Sequence, residues 1–102
     1  MIDEREFLEQ ARLDRATLEV WISQEWLIPS GFTEGRTFTD TDLARARLIG
    51  DLKHKMGVND EGLDVILHLL DQMHGLRRAL AEALAGLRER GGAQSSPPRG
   101  GP

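Results

Sequence analysis

Cysteine is absent from the 102-residue chain, which excludes disulfide scaffolds, thiol catalysis and zinc sites built on cysteine. No apolar run approaches the about 18 residues of a membrane-spanning helix, and the charged residues 1–6 are unlike a signal peptide. Since 39% of the residues are apolar, the chain still has enough apolar side chains for one modest core. We therefore expect one folded protein with a cytoplasmic location.

The chain also lacks the patterns that carry catalysis or hold metals. It has no glycine-rich phosphate loop and no nucleophile elbow, and its serines have no base adjacent in sequence. His68 and His74 lie six residues apart, which places them about 240° apart around a helix, so they cannot share a metal ion. We predict no enzymatic activity, no metal and no cofactor.

A surplus of basic residues is missing as well. The chain has 17 acidic and 13 basic residues, a net charge of −4, whereas nucleic-acid binders normally present a basic face. The deficit is local, because residues 58–74 hold four acidic residues and no lysine or arginine. Residues 75–102 carry a net charge of +3.

What the chain does contain begins with two short helical patterns. Apolar residues recur at helical spacing over residues 3–11, and Asp14 is a suitable N-cap for a second helix that ends near residue 25. The apolar face of the second helix carries Leu18, Trp21 and Ile22, so Trp21 is expected in the core. Because only three residues join the two helices, the pattern predicts a helix-turn-helix.

Two short apolar pieces, residues 27–28 and 37–38, flank a loop that contains proline and glycine. This arrangement predicts a small two-stranded hairpin, or wing, with Pro29 keeping the first strand short or at an edge. Phe32 in the loop either folds under the wing or is available to a partner, and the sequence leaves both open.

Two further helices follow the wing. Thr39, with Asp42 three residues on, predicts the capped start of a third helix, and Gly57 supplies its left-handed end. Its predicted inward face consists of Leu48, Ile49, Leu52 and Met56. Asn59 caps a fourth helix that no residue stops before Gly91.

The fourth helix carries apolar residues that alternate three and four apart, which is a heptad pattern. A helix about 46 Å long cannot bury this seam against so small a domain, so we predict a coiled-coil homodimer. The dimerisation seam consists of Leu63, Ile66, Leu70, Met73, Arg77, Leu80, Leu84 and Leu87, with Arg77 as its polar break. The alternative is a helix broken at Gly75 and folded back along its own domain.

These patterns predict an all-α fold with a small two-stranded wing. The predicted parts are a winged helix-turn-helix domain over residues 1–57, a long dimerisation helix over residues 58–90 and a tail over residues 91–102. The tail has one apolar side chain, so we expect it to be disordered.

The order of these elements over residues 7–88 resembles the MerR-type winged helix-turn-helix family. The matching segments open the second helix at residues 14–18, enter the wing at residues 26–29 and join the last two helices at residues 48–59. The wing exit, Arg36-Thr37-Phe38-Thr39-Asp40-Thr41-Asp42-Leu43, looks like the family pattern Arg-x-aromatic-Ser/Thr-x-x-Asp-Leu. The resemblance implies a winged helix-turn-helix with a long C-terminal dimerisation helix.

Within this family the chain is similar to the CbpM-like chaperone modulators. It is short, residues 62–80 look like the long helix of that branch, and Leu18-Glu19-Val20-Trp21-Ile22 stands where the DNA binders resemble Leu-Arg-Tyr-Tyr-Glu. This resemblance implies a protein that binds the J-domain of a DnaJ/CbpA-like co-chaperone and inhibits its action with DnaK (Hsp70).

The J-domain surface that meets DnaK is rich in lysine and arginine in that family, so an acidic surface would complement it. The candidate partner-binding residues are Glu19, Glu25, Trp26, Asp60, Glu61, Asp64, His68 and Asp71. Taken singly, each acidic residue is explained as well by an ordinary solvated surface charge. Trp26 either anchors an interface or packs in the core or under the wing.

The alternative from another class is a MerR-like transcriptional regulator that binds promoter DNA as a dimer. DNA binding needs cations on the second helix and wing, whereas residues 14–25 have a net charge of −2 and the wing offers Arg36 against Glu34. A third reading, an adaptor that heterodimerises with another regulator, uses the same long helix and stays open.

Overall fold

The computed structural model describes residues 1–94 of the chain, with side chains to residue 90. The elements in chain order are β1 (Ile2–Asp3), α1 (Glu4–Ala11), α2 (Arg15–Ser23), β2 (Thr37–Phe38), α3 (Asp40–Gly50) and α4 (Asp60–Gln94). A π-helical segment, Asp51–Lys55, continues α3. The predicted helical fold with a small sheet and a long last helix is confirmed.

Each helix begins at a side-chain cap. The carboxylates of Asp3 and Asp14 accept backbone N–H groups three residues on, at 2.8 and 2.7 Å, and the Asn59 carbonyl accepts that of Gly62 at 2.7 Å. Thr39 and Asp42 form a reciprocal capping box at the start of α3. These bonds satisfy N–H groups that have no partner within the helix, and the predicted caps at Asp14, Thr39 and Asn59 are confirmed.

The helices α1 and α2 both end in a Schellman motif whose left-handed residue is charged. Arg12 has φ 58° after α1, and Glu25 has φ 62° after α2. In each motif the left-handed residue and its successor donate their backbone N–H groups to carbonyls of the last helical turn. The left-handed turn at Glu25 ends α2 at Ser23, slightly before the predicted end near residue 25.

The sheet differs from the predicted hairpin. The strand β2 pairs antiparallel with β1, with Ile2 opposite Phe38, and an isolated bridge joins Thr37 to Gly31. Residues 27–28 form no strand, because the backbone before β2 reaches Thr37 only at Ser30 and Gly31, whose N–H groups donate to the Thr37 carbonyl. The first strand of the sheet is therefore β1, which precedes its partner β2 by 35 residues in the sequence.

The core lies in the first of two compact units, Met1–Leu67. Phe7 and Phe38 stack with ring centroids 3.9 Å apart, and Trp21 is buried beside this core as predicted. The fully buried large side chains are Trp21, Phe7, Phe38, Leu18, Leu27, Ile49 and Leu63. Burial of these apolar groups is the main favourable term for the fold.

The predicted inward face of α3 is correct for two residues and wrong for two. Ile49 and Leu52 are buried, but Leu48 is 36% exposed and Met56 is 70% exposed. Leu43 and Ala46 take their places in the core. The π-helical segment after Gly50 changes the number of residues per turn, so the helical spacing assumed from the sequence does not carry through to Met56. Gly57 has φ 67°, as its predicted left-handed role requires.

The helix α4 begins inside the first unit. Leu63 and Leu67 are buried in the core, so the compact unit extends past residue 57, and Leu63 is withdrawn from the predicted dimerisation seam. The helix passes through Gly75 without a break and ends at Gln94.

Residues 91–94, predicted as the start of the tail, are therefore helical, since glycine disfavours a helix by about 1 kcal/mol but does not block it. The remaining tail residues, 95–102, lie outside the described residues.

The second unit begins at His68. Within it, the described seam residues are exposed or half-buried: Met73, Leu80, Leu84 and Leu87 show 45–60% of their surface. Over the described part of the chain, no helix combines the length and apolar character that crossing a membrane requires.

Candidate partner-binding surface

Residues 24–36, between α2 and β2, form the wing loop, and its Arg36 is held by two carboxylates. Its Nη1 and Nη2 donate to Glu19 Oε1 and Oε2 at 3.1 and 2.5 Å, and its Nε donates to Glu4 Oε1 at 2.9 Å. Arg15 Nη2 lies 3.3 Å from Glu4 Oε2. This Arg36 network joins α1, α2 and the wing loop, so the guanidinium of the wing faces carboxylates on two sides.

The pKa shifts follow from these contacts. The hydrogen bond from Arg36 lowers the pKa of Glu19 below its ordinary value of 4.5, and the two carboxylates raise the pKa of Arg36. Both groups are therefore charged throughout the physiological range. Glu19 stays half exposed, with 53% of its side chain accessible, so a carboxylate and not a free cation stands on this face of α2.

Exposed apolar side chains also lie on α2 and in the wing loop. Val20 of α2 is 51% exposed, and Ile28 and Phe32 of the wing loop are 67% and 73% exposed. Phe32 is thus available to a partner and not folded under the wing. Val20 and Ile28 were not among the residues predicted from the sequence. Val20 lies next to Glu19 and outside the predicted apolar face of α2, and this spacing is typical of an exposed residue.

Trp26 is not an exposed anchor. It retains 3% exposure, and its Nε1 donates to Asp64 Oδ1 at 2.6 Å. Its carbonyl accepts a hydrogen bond from Arg45, and Lys53 Nζ lies 5.6 Å from the ring centroid. The indole therefore connects the end of the helix-turn-helix to the start of α4 within the first unit, and this structural role replaces the predicted interface role.

Asp60, Glu61 and Asp64 at the start of α4 are all exposed, and two of them are engaged in contacts within the first unit. Asp60 pairs with Lys53 at 2.8 Å, and Asp64 holds the Trp26 indole, so both serve the fold. Glu61 lies between them in sequence and is exposed. His68 and Asp71 are exposed on the second unit, where His68 contacts Gln72 through its ring.

Glu25 is also exposed, and its position follows from the backbone. As the left-handed residue of a Schellman motif it lies just after α2, at the entry to the wing loop. Of the candidate residues in the first unit, the exposed ones are Glu19, Glu25, Asp60, Glu61 and Asp64. Asp60 is paired with Lys53, and Asp64 is hydrogen-bonded to the Trp26 indole. Among the described residues, no group of three or more histidines, aspartates or glutamates is arranged to hold a metal ion.

Two short helices, a small two-stranded sheet and a long last helix define a helix-turn-helix domain with a long C-terminal helix. The model for the MerR HTH family regulatory proteins matches residues 2–83, and the chain belongs to that family. No curated protein and no solved structure matches the chain.

Proposed function

We propose that this chain is a chaperone modulator that binds the J-domain of a DnaJ/CbpA-like co-chaperone and inhibits its action with DnaK. In this role it performs no chemistry of its own. The observation that supports the proposal is the ion pair between Glu19 and Arg36, because it replaces the cationic α2 and wing of a DNA-binding relative with a neutralised arginine and a carboxylate.

A DNA duplex approaching this face would meet unfavourable electrostatics. Phosphate contacts supply most of the non-specific affinity of DNA-binding proteins, and they come from lysine and arginine. Here the Arg36 guanidinium is already engaged in ion pairs with Glu19 and Glu4. A phosphate that displaced these carboxylates would leave Glu19 facing the DNA backbone.

A protein partner fits α2 and the wing loop better. The exposed side chains of Val20, Ile28 and Phe32 supply the apolar area that forms the centre of protein interfaces, while acidic residues suit the rim. Complementary charge would accelerate encounter with a basic J-domain surface and set its register. Glu19, Glu25 and Glu61 are the acidic residues that we assign to this contact within the first unit.

We also propose that the chain works as a homodimer. On the second unit the exposed residues Met73, Leu80, Leu84 and Leu87 keep heptad spacing, and a second copy of the same helix would cover them. The seam in this proposal starts at Ile66, since Leu63 belongs to the core.

The test is a titration of the full chain with an isolated J-domain at low salt. We expect saturable binding in the micromolar range that weakens severalfold when Glu61 is replaced by lysine. Glu82→Lys is the matched control, because it makes the same charge change on an exposed position of the same helix and should leave the affinity unchanged. Absence of binding at tens of micromolar J-domain would contradict the proposal.

The second candidate function is a transcriptional regulator that binds promoter DNA as a dimer, and membership of a family of MerR regulatory proteins favours it. Its test is the salt dependence of binding to duplex DNA. A steep fall of affinity with salt would support it, because each phosphate contact releases counterions. The adaptor that heterodimerises through α4 would instead require a seam partner of different sequence.

A further inference from the structure

An open cleft of about 500 Å³ lies in the first unit, between the end of α1 and the end of α3. Its lining includes Gln10, Arg12, Arg47, Asp51, His54 and Lys55. Three of these side chains are cationic and one is acidic, so the cleft is basic within a chain of net charge −4. It shares no residue with the proposed J-domain contact.

Arg12 adopts a left-handed backbone conformation, which is most often adopted by glycine. It is the left-handed residue of the Schellman motif that ends α1, with φ 58°, and Leu13 donates its N–H to the Leu8 carbonyl at 3.0 Å. A side chain in this region is strained, and such residues cluster where ligands are held. Within residues 1–90 the Arg12 guanidinium has no ion-pair partner, so its charge is available to the cleft.

The other cations are positioned by their own elements. Arg47 Nη2 donates to the Gln10 carbonyl at 3.3 Å, which keeps its guanidinium beside the end of α1. The π-helical segment supplies His54 and Lys55, and Lys55 reaches Asp51 at a looser 3.4 Å. Short π-helical turns occur frequently at functional sites.

We propose that this cleft binds a small oligophosphate, such as the phosphate chain of a nucleotide. A guanidinium group can donate two parallel hydrogen bonds to the oxygens of a phosphate. Arg12 and Arg47 supply two guanidinium groups to this cleft, and Lys55 supplies a third positive charge. The volume of about 500 Å³ lies in the range of small-ligand sites.

The probe is inorganic tripolyphosphate, titrated calorimetrically into the full chain at low salt. The test variant is Arg12→Gly, which removes the charge and also relieves the left-handed strain, so it should fold at least as stably as the native chain. We expect its affinity to fall about tenfold, the effect of losing one charged hydrogen bond. Arg78→Gln is the matched control, since it removes one exposed arginine from α4 and should leave the affinity unchanged.

Several outcomes would overturn the proposal. In the first, the native chain shows no saturable binding of tripolyphosphate. In the second, the Arg78→Gln variant loses as much affinity for tripolyphosphate as the Arg12→Gly variant does. Citrate binding as tightly as tripolyphosphate would overturn the phosphate assignment. So would a short DNA duplex whose binding depends on Arg12 but is not displaced by tripolyphosphate.

Discussion

Arg36 and Glu19 are joined by two parallel hydrogen bonds, which bring the arginine of the wing loop against a carboxylate 17 residues earlier on α2. The pair fixes the wing loop to the helix-turn-helix and leaves the Arg36 guanidinium neutralised by carboxylates.

The Glu19–Arg36 pair predicts a pH-dependent stability. Because the hydrogen bond from Arg36 lowers the folded-state pKa of Glu19, the pair stabilises the fold above the ordinary value of 4.5, and this is lost as the pH falls through the lower folded value. The Tm difference between the native chain and Glu19→Gln should be largest near neutral pH and shrink below pH 4.5. Thermal unfolding at a series of pH values measures it.

A double-mutant cycle provides the control for this prediction. In an Arg36→Gln background, Glu19→Gln should change the Tm much less than it does in the native chain, because the partner is already gone. A Tm difference that is independent of both pH and Arg36 would show that the pair contributes nothing to the fold.

The Trp26–Asp64 hydrogen bond predicts a graded loss of stability. Asp64→Ala leaves the nearly buried indole N–H without its acceptor, which should lower the free energy of unfolding by about 1 kcal/mol. Asp64→Asn retains a carbonyl oxygen and should lose less. Urea unfolding followed by tryptophan fluorescence measures both variants, with exposed Glu61→Ala as a control expected within about 0.5 kcal/mol of native. Equal loss for Ala and Asn would argue against the bond.

The left-handed conformation of Glu25 predicts a stabilising substitution. Glu25→Gly removes the steric cost of a side chain at φ 62° and should raise the unfolding free energy by about 1 kcal/mol. The same change at Glu9, inside α1, should lower it by about 1 kcal/mol. Denaturant midpoints compare the two variants, and a Glu25→Gly protein less stable than native would refute the prediction.

Glu25→Gly also separates stability from binding. If the carboxylate contacts the J-domain, the variant should bind more weakly although it folds more stably. Affinity equal to that of the native chain would remove Glu25 from the contact.

The seam of α4 predicts the oligomeric state. We expect light scattering to give a dimer mass for the native chain and a monomer mass for Leu80→Lys, because a lysine ammonium would be buried in the coiled coil. Leu76→Lys is the matched control: Leu76 is 71% exposed and lies off the seam, so this variant should stay dimeric. A native chain of monomer mass at micromolar concentration contradicts the dimer.

Local interactions were predictable from the sequence. The caps at Asp14, Thr39 and Asn59 and the left-handed Gly57 depend on residues within three positions of one another, and the structure has all of them. The order of the helices and the burial of Trp21 follow from helical periodicity in the same way.

Long-range contacts were not predictable in the same way. The pairing of Ile2 with Phe38 and the bond between Trp26 and Asp64 join positions more than 30 residues apart, and no periodicity in either segment encodes the partner. Leu63 fits a heptad as well as it fits the core, because both need an apolar residue at that helical position. The π-helical segment after α3 likewise lacks a sequence pattern that would have shown the loss of Met56 from the core.

The most direct test of the central claim is the ATPase rate of DnaK, measured with a DnaJ/CbpA-like co-chaperone and increasing amounts of this chain. The account predicts that the co-chaperone-stimulated rate falls towards the basal rate of DnaK as the chain saturates the J-domain, while the basal rate itself does not change. Stimulation that persists undiminished at saturating chain would contradict it.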